Sequence, residues 1–399
     1  MQSIPKLLVG ICSLVYLLDG LIHSLLGPLA PAFVADLGLT NSQLGPIFSA
    51  NLIGQCVGLV TLPLLAGRIG QRAVVLLALV GFGAAQTATA LSQGATSLFL
   101  WRLLTGVFLG GCLPSCLALV AAAAPVARRG LAIMVLFTGY GLGATLAGVM
   151  AASFTNLGGW RAAMVAAGVA SLATAVLGAF FLQEPATGKS DSATEGAGAS
   201  GPLAIVSPPY LLGTLMLWLL FISLLTISYC LTSWLPTLLI EVGRDARFAA
   251  LSISIFSLGG IVAALGVGLL IDRWGAMRTL ISFLVIAAVL LFSIGKVLAS
   301  ASSGVLMTLL AAGGFFVLGA YGGINVVLAS FYPAPLRATG IGWSKSIGRL
   351  GTVVAPVLIG AALGMGIKET VIMSLFAMPA ALAVVALAVI AFSQRRAAA

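Results

Sequence analysis

The sequence predicts an all-α integral membrane protein with twelve transmembrane helices in two six-helix, pseudo-symmetric halves. Three observations carry that expectation. The 399 residues are 61% hydrophobic and only 7% charged, whereas a soluble domain carries about 25% charged residues. Apolar runs of about 20 residues, the length that crosses a bilayer, follow one another almost without pause. One polar stretch, "QEPATGKSDSATEGAGASGP" at 183–202, interrupts them near the middle and has the composition of a flexible linker. A β-barrel would instead show alternating segments of about ten residues, and the chain has no such pattern.

Charged residues and Pro/Gly breaks divide the apolar sequence into spans near 7–33, 45–66, 73–93, 97–122, 130–155 and 160–183. A second set follows near 208–240, 246–271, 276–298, 303–331, 337–364 and 369–392. The expected organisation is therefore an N-terminal half 1–183, a cytoplasmic linker 184–207 and a C-terminal half 208–399. The first run is too long for a signal-peptide core, contains Asp19 and has no small-x-small cleavage site, so it reads as a span.

The formal net charge of +10 follows membrane topology. Eleven Lys/Arg fall on the side of the N-terminus, and five (Arg161, Arg244, Arg247, Lys296, Lys368) fall on the other side. By the positive-inside rule both termini are cytoplasmic, in a multi-pass protein of the inner (plasma) membrane. Basic residues scattered singly or in pairs, without interleaved aromatics, argue against nucleic acid as a partner. The five cysteines all lie in apolar segments. Cys112 and Cys116 share a helical face but read as packing residues, so neither a metal nor another cofactor is expected.

The loops repeat. "LLAGRIGQR" (64–72) joins the second and third spans, and "GLLIDRWGAMR" (268–278) joins the eighth and ninth. Both are short, basic and marked by glycine, at the same place in a six-span unit. Two parallel six-helix repeats are an architecture of secondary transporters, with the substrate site between the halves at mid-membrane. Arg68 and Arg72 in the first loop, and Gly268, Asp272, Arg273 and Arg278 in the second, are the expected gating residues.

The pattern G-x-x-x-D-R-x-G-x-x-R at Gly268–Arg278 resembles the signature loop of the major facilitator superfamily. "LLDG" in span 1, "LGPIFSANLIG" in span 2, "WRLLTGVFLGG" in span 4, "GGWRA" before span 6 and "YPAPLRATGIGWSKSIGRLG" across spans 10 and 11 are similar to the aromatic acid:proton symporter family. The resemblance covers nearly the whole chain. It implies the major facilitator fold, proton-coupled import of an aromatic acid, and a coupling role for Asp19. The chain departs from the family pattern at three places. Ile22 stands where the D-G-x-D motif has its second acid, Gly67 stands where the first signature loop has Asp, and "AAAAPVARRG" lacks the acid often found before the proline.

Charges inside spans are costly, at least about 2.5–3.5 kcal/mol each at the centre on insertion scales, so each calls for a partner or a function. Asp19 lies roughly 20 Å along its helix from Lys6, and His23, the single histidine, is one turn on along the same face. They read either as a pair satisfying each other or as a proton-titratable pair facing a cavity. His23 is one turn from the coupling candidate, and imidazole titrates near neutrality. Arg102 lies about 8–12 Å inside span 4, where it either snorkels to the surface or lines a cavity. Lys345 and Arg349 share a face of span 11, about 12 and 18 Å deep. Three cations against one carboxylate suit an anionic ligand, and a guanidinium fork suits a carboxylate.

Asn51, Gln55, Tyr140, Tyr321, Asn325 and Trp343 are the further candidates for binding substrate, the amides foremost because an unsatisfied amide is costly in lipid. The function expected is import of a small organic carboxylate, with protons, by a monomer that needs only the bilayer around it. An exporter of drugs or metabolites and a non-transporting sensor stand as alternatives. An enzyme is not expected, because one histidine and no acidic cluster assemble no catalytic constellation.

Overall fold

The computed structural model describes residues 6–125, 128–154, 157–184, 205–208 and 210–398, so the heart of the expected linker lies outside the described residues. Among the described residues, twelve helical spans are long and apolar enough to cross a membrane. In chain order they are α1 (Lys6–Leu37), α2 (Asn41–Ile69), α3 (Gln71–Ala88), α4 (Ala95–Ala123), α5 (Arg129–Phe154) and α6 (Gly159–Phe181). Then come α7 (Leu211–Glu241), α8 (Ala246–Trp274), α9 (Ala276–Val297), α10 (Ser303–Phe331) and α11 (Ala334–Gly364). The last span is divided into α12 (Glu369–Leu375) and α13 (Ala377–Ala398).

Most boundaries shift by a few residues from the sequence expectation, and two differences stand out. α1 continues to Leu37, past Pro28 and Pro31, because neighbouring helices compensate the backbone bonds that a proline removes inside a membrane. The final span, expected unbroken, is interrupted at Phe376, whose N–H turns to the carbonyl of Met373. The repeated loops, by contrast, are alike in detail. Gly70 joins α2 to α3 with φ +88°, and Gly275 joins α8 to α9 with φ +83°. That left-handed region is open to glycine at little cost, which lets each helix pair turn on a single residue.

The helices pack as two compact units. The first contains α1–α6 together with Ser233–Ser254 and Pro356–Gly366. The hydrophobic effect offers no drive between helices already in lipid, so close approach through small residues takes its place. Gly54 and Gly58 of α2 meet the backbone of α4, and Gly106 and Gly110 of α4 meet the carbonyls of Asn51 and Gln55; a Cβ at any of the four would collide. Likewise Gly20 of α1 lies on the carbonyl of Tyr140, and Gly143 of α5 lies on that of Leu17.

Polar clasps close the ends of this unit. Asp36 accepts from Trp160 Nε1 at 2.9 Å and pairs with Arg161. The Arg161 guanidinium also donates to the carbonyls of Ala90 (3.1 Å) and Ser92 (3.3 Å). At the opposite end Glu184 Oε1 accepts from the Gln71 N–H at 2.7 Å, capping α3, while Arg72 donates to the Ala179 carbonyl at 2.6 Å. The segment from α7 and α8 is tied in by Asn41 Nδ2 donating to Glu241 Oε1 (3.0 Å), by Ser254 Oγ donating to the Thr145 carbonyl (2.6 Å), and by Trp234 edge-on to Phe48 (5.0 Å).

The second unit is built from the remainder of α7, α8 and α11 with α9, α10, α12 and α13. Its core includes Leu217, Phe221, Leu224, Phe283, Ile324 and Tyr332. Thr214 donates to the Ile205 carbonyl at 2.6 Å and lies 2.9 Å from the Tyr332 hydroxyl. Exposed Leu64, Phe180, Leu265 and Leu269 give the units the apolar exterior that lipid requires.

Candidate functional site

In the first unit, three helices bring polar groups together. Tyr16, Asp19 and His23 follow at intervals of three and four on α1, so they share a face. Asp19 is buried, at 7% exposure, and His23 is half-buried. Tyr140 of α5 stands beside them, its ring centroid 5.3 Å from Tyr16 and 6.3 Å from His23. From α2, Asn51 Nδ2 lies 3.2 Å and Gln55 Nε2 lies 3.5 Å from His23 Nδ1. An amide nitrogen only donates, so these contacts suit an accepting Nδ1, the tautomer with its proton on Nε2. The backbone carbonyls of the same two amide residues are those clamped by Gly106 and Gly110. Close helix packing thus fixes where the amides stand.

This gathers five sequence candidates: Asp19, His23, Asn51, Gln55 and Tyr140. A carboxylate and an imidazole thus lie one turn apart on α1 inside a membrane span, the imidazole beside amides of α2 and a tyrosine of α5. Three thiols also gather near Asp19, with Cys12 of α1 joining Cys112 and Cys116 of α4. Among the described residues, no group of three or more His, Cys, Asp or Glu could hold a metal ion.

Arg102 is placed differently. It is fully buried, with Nη1 donating to Gln86 Oε1 at 2.6 Å and Nη2 to the Ile22 carbonyl at 3.3 Å. Gln86 in turn donates to Met164 Sδ at 2.8 Å. In this conformation the guanidinium is turned to protein acceptors from α3 and α1.

In the second unit, Lys345 is exposed and Arg349, one turn on, is half-buried. Arg349 and the Tyr229 phenol both lie within electrostatic reach of the Tyr321 hydroxyl. These residues come from α11, α7 and α10. Trp343 is about 200° round α11 from Lys345. It stacks on Trp218 (6.1 Å, 16°) and is 41% exposed, which sets it apart from the two cations. Asn325 is exposed and donates to the carbonyls of Tyr321 (3.4 Å) and Gly322 (3.1 Å) on its own helix. Of the loop residues, Arg68, Gly268, Asp272, Arg273 and Arg278 are exposed, and Arg72 is engaged as described above.

Sequence reasoning missed Tyr16, Gln86 and Trp218. Tyr16 was within reach, since it lies three before Asp19 and seven before His23. Gln86 and Trp218 carry no such signal.

A family model, the Major Facilitator Superfamily, matches residues 12–356. The chain is 32% identical to the gallate transporter of Pseudomonas putida, over 96% of this chain and 90% of that one. It is 31% identical to the 4-hydroxybenzoate transporter PcaK of Acinetobacter baylyi, again over 96% and 90%. Among solved structures, the D-xylose-proton symporter superposes with a TM-score of 0.79 at 17% identity, covering 97% of each chain, and so shares the fold. The chain belongs to the Major Facilitator Superfamily: it is a multi-pass membrane transporter, not an enzyme.

Proposed function

We propose that the protein is a proton-coupled symporter that imports an aromatic carboxylate, of the hydroxybenzoate kind, by alternating access. The observation that carries this reading is the placing of Asp19 and His23 one turn apart on one face of a membrane-spanning helix, with Asn51 and Gln55 beside His23. Asp19 takes the proton, with His23 tuning the pH range. Arg349, with Lys345 one turn away, holds the substrate carboxylate, and the nearby Tyr229 and Tyr321 suit an aromatic ring bearing hydroxyls. Support for the substrate class comes from relatives named for gallate and 4-hydroxybenzoate. The chain works as a monomer in the inner membrane with both termini cytoplasmic. The two six-helix halves are 1–183 and 208–399, and the basic loops at Arg68–Arg72 and Gly268–Arg278 take part in gating.

Proteoliposome uptake tests the proposal. Gallate, 4-hydroxybenzoate and an aliphatic carboxylate are each offered with and without an imposed pH gradient. Accumulation of the aromatic acids above equilibrium only with the lumen alkaline is the expected result. Accumulation indifferent to the gradient overturns proton coupling, and a preference for the aliphatic acid overturns the substrate class.

A further inference from the structure

His23 is the one histidine in the chain, and its Nδ1 has two carboxamide nitrogens for neighbours, at 3.2 and 3.5 Å. That arrangement fits only a neutral ring, because a proton on Nδ1 would meet N–H groups head-on. Asn51 supplies the remedy. It is 2% exposed, and its Oδ1 is buried with no hydrogen-bond partner among the described residues. An orphaned acceptor inside a membrane protein is costly and calls for a reason. Turning the carboxamide by half a revolution exchanges its oxygen and nitrogen, and brings that oxygen to Nδ1. Gly106 against the Asn51 carbonyl holds the backbone still, so this torsion is the motion left to the residue.

We propose that Asn51 is a positioning residue for proton coupling. It donates to Nδ1 while His23 is neutral and turns over to accept from Nδ1–H when His23 is protonated, so that α2 registers a proton taken up on α1. Gln55, at the longer distance, follows. The inference rests on reading His23 as a proton site. The titratable groups around it are Tyr16 and Asp19 on α1 and Tyr140 on α5. On α4, Arg102 reaches the Ile22 carbonyl and Cys112 lies near Asp19. α2 adds Cys56 beside Gln55 and Arg68 at its far end, and α5 adds Arg129 at its own end. On α6 the titratable side chain is Arg161, engaged at Asp36. Nδ1 itself is met by the two amides.

A single histidine makes the test direct. The full chain is labelled with ¹⁵N-histidine, purified through a tag without histidine, placed in lipid nanodiscs and titrated while the ring nitrogens are read by NMR. The wild-type neutral ring should carry its proton on Nε2. Asn51→Asp, which can only accept, should raise the titration midpoint by about one pH unit or more. Asn51→Leu should weaken the tautomer preference, leaving Gln55 alone to hold it. A neutral ring protonated on Nδ1 in the wild type, a His23 that does not titrate, or an unmoved midpoint in Asn51→Asp each overturns the proposal. The wild-type spectrum decides even if the variants fold poorly. Uptake by His23→Gln separates the two readings: an unchanged pH profile there removes His23 from coupling, whereas the ring spectra judge Asn51 alone.

Discussion

Arg102 of α4 donates to Gln86 of α3 at 2.6 Å, so a fully buried cation is answered by a neutral amide. Gln86 passes the connection to Met164 of α6, and the three side chains tie together three helices. Replacing Arg102 with Met should cost about 1–3 kcal/mol, because it strands the acceptors on Gln86 and Ile22. The double variant Arg102→Met/Gln86→Leu should recover part of that loss, read as Tm in detergent. If Arg102→Met keeps the wild-type Tm yet loses substrate binding, the residue serves the ligand instead.

Among the described residues, Asp19 is the only carboxylate well inside a span. Asp19→Asn should therefore abolish accumulation driven by a pH gradient while leaving substrate exchange across the membrane measurable. Counterflow and gradient-driven uptake, measured side by side, check this. Concentrative uptake by the variant would pass the proton role to His23.

For Arg349, truncation to Ala should weaken binding of 4-hydroxybenzoate about 10–100-fold, the equivalent of a charge-assisted hydrogen bond of about 1.5–3 kcal/mol. Arg349→Lys keeps the charge but loses the fork, and should fall between wild type and Ala. Titration calorimetry gives the order directly. Equal Kd values for wild type and Ala would leave Arg349 a structural residue.

Gly106→Ala should be more harmful than its size suggests. Its methyl group runs into the Asn51 carbonyl, whereas Gly67 has nothing within 4 Å of a built Cβ. Overpacking of this kind costs about 1–3 kcal/mol. Gly106→Ala should lower Tm and blunt uptake together, and Gly67→Ala should leave both in place. Identical behaviour of the two variants would mean that α2 and α4 have room to separate.

The spans and their repeated glycine turns were legible because hydropathy and glycine leave one-dimensional marks. So was the polar face of α1, since periodicity puts Asp19 and His23 together. Partners across helices leave no such mark. Nothing in the spacing tells that Asn51 points to His23, or that Arg102 turns inward to Gln86 instead of snorkelling. Trp343 shows the limit from the other side. Expected among the substrate-binding residues, it stacks on Trp218, about 200° round α11 from Lys345.

The clasps at the start of α6 and just past its end bear on how the protein is made. Between Asp36 and Glu184 the chain has no acidic residue. The N-terminus of α3 therefore waits for an anion 113 residues further along. Asp36, at the other end of the unit, waits 124 and 125 residues for Trp160 and Arg161. Until α6 and Glu184 have left the ribosome, the first five helices have both ends of their bundle unfastened. A chain truncated at Phe181 would lack the cap on α3, and one that ends just past Glu184 would carry it once released.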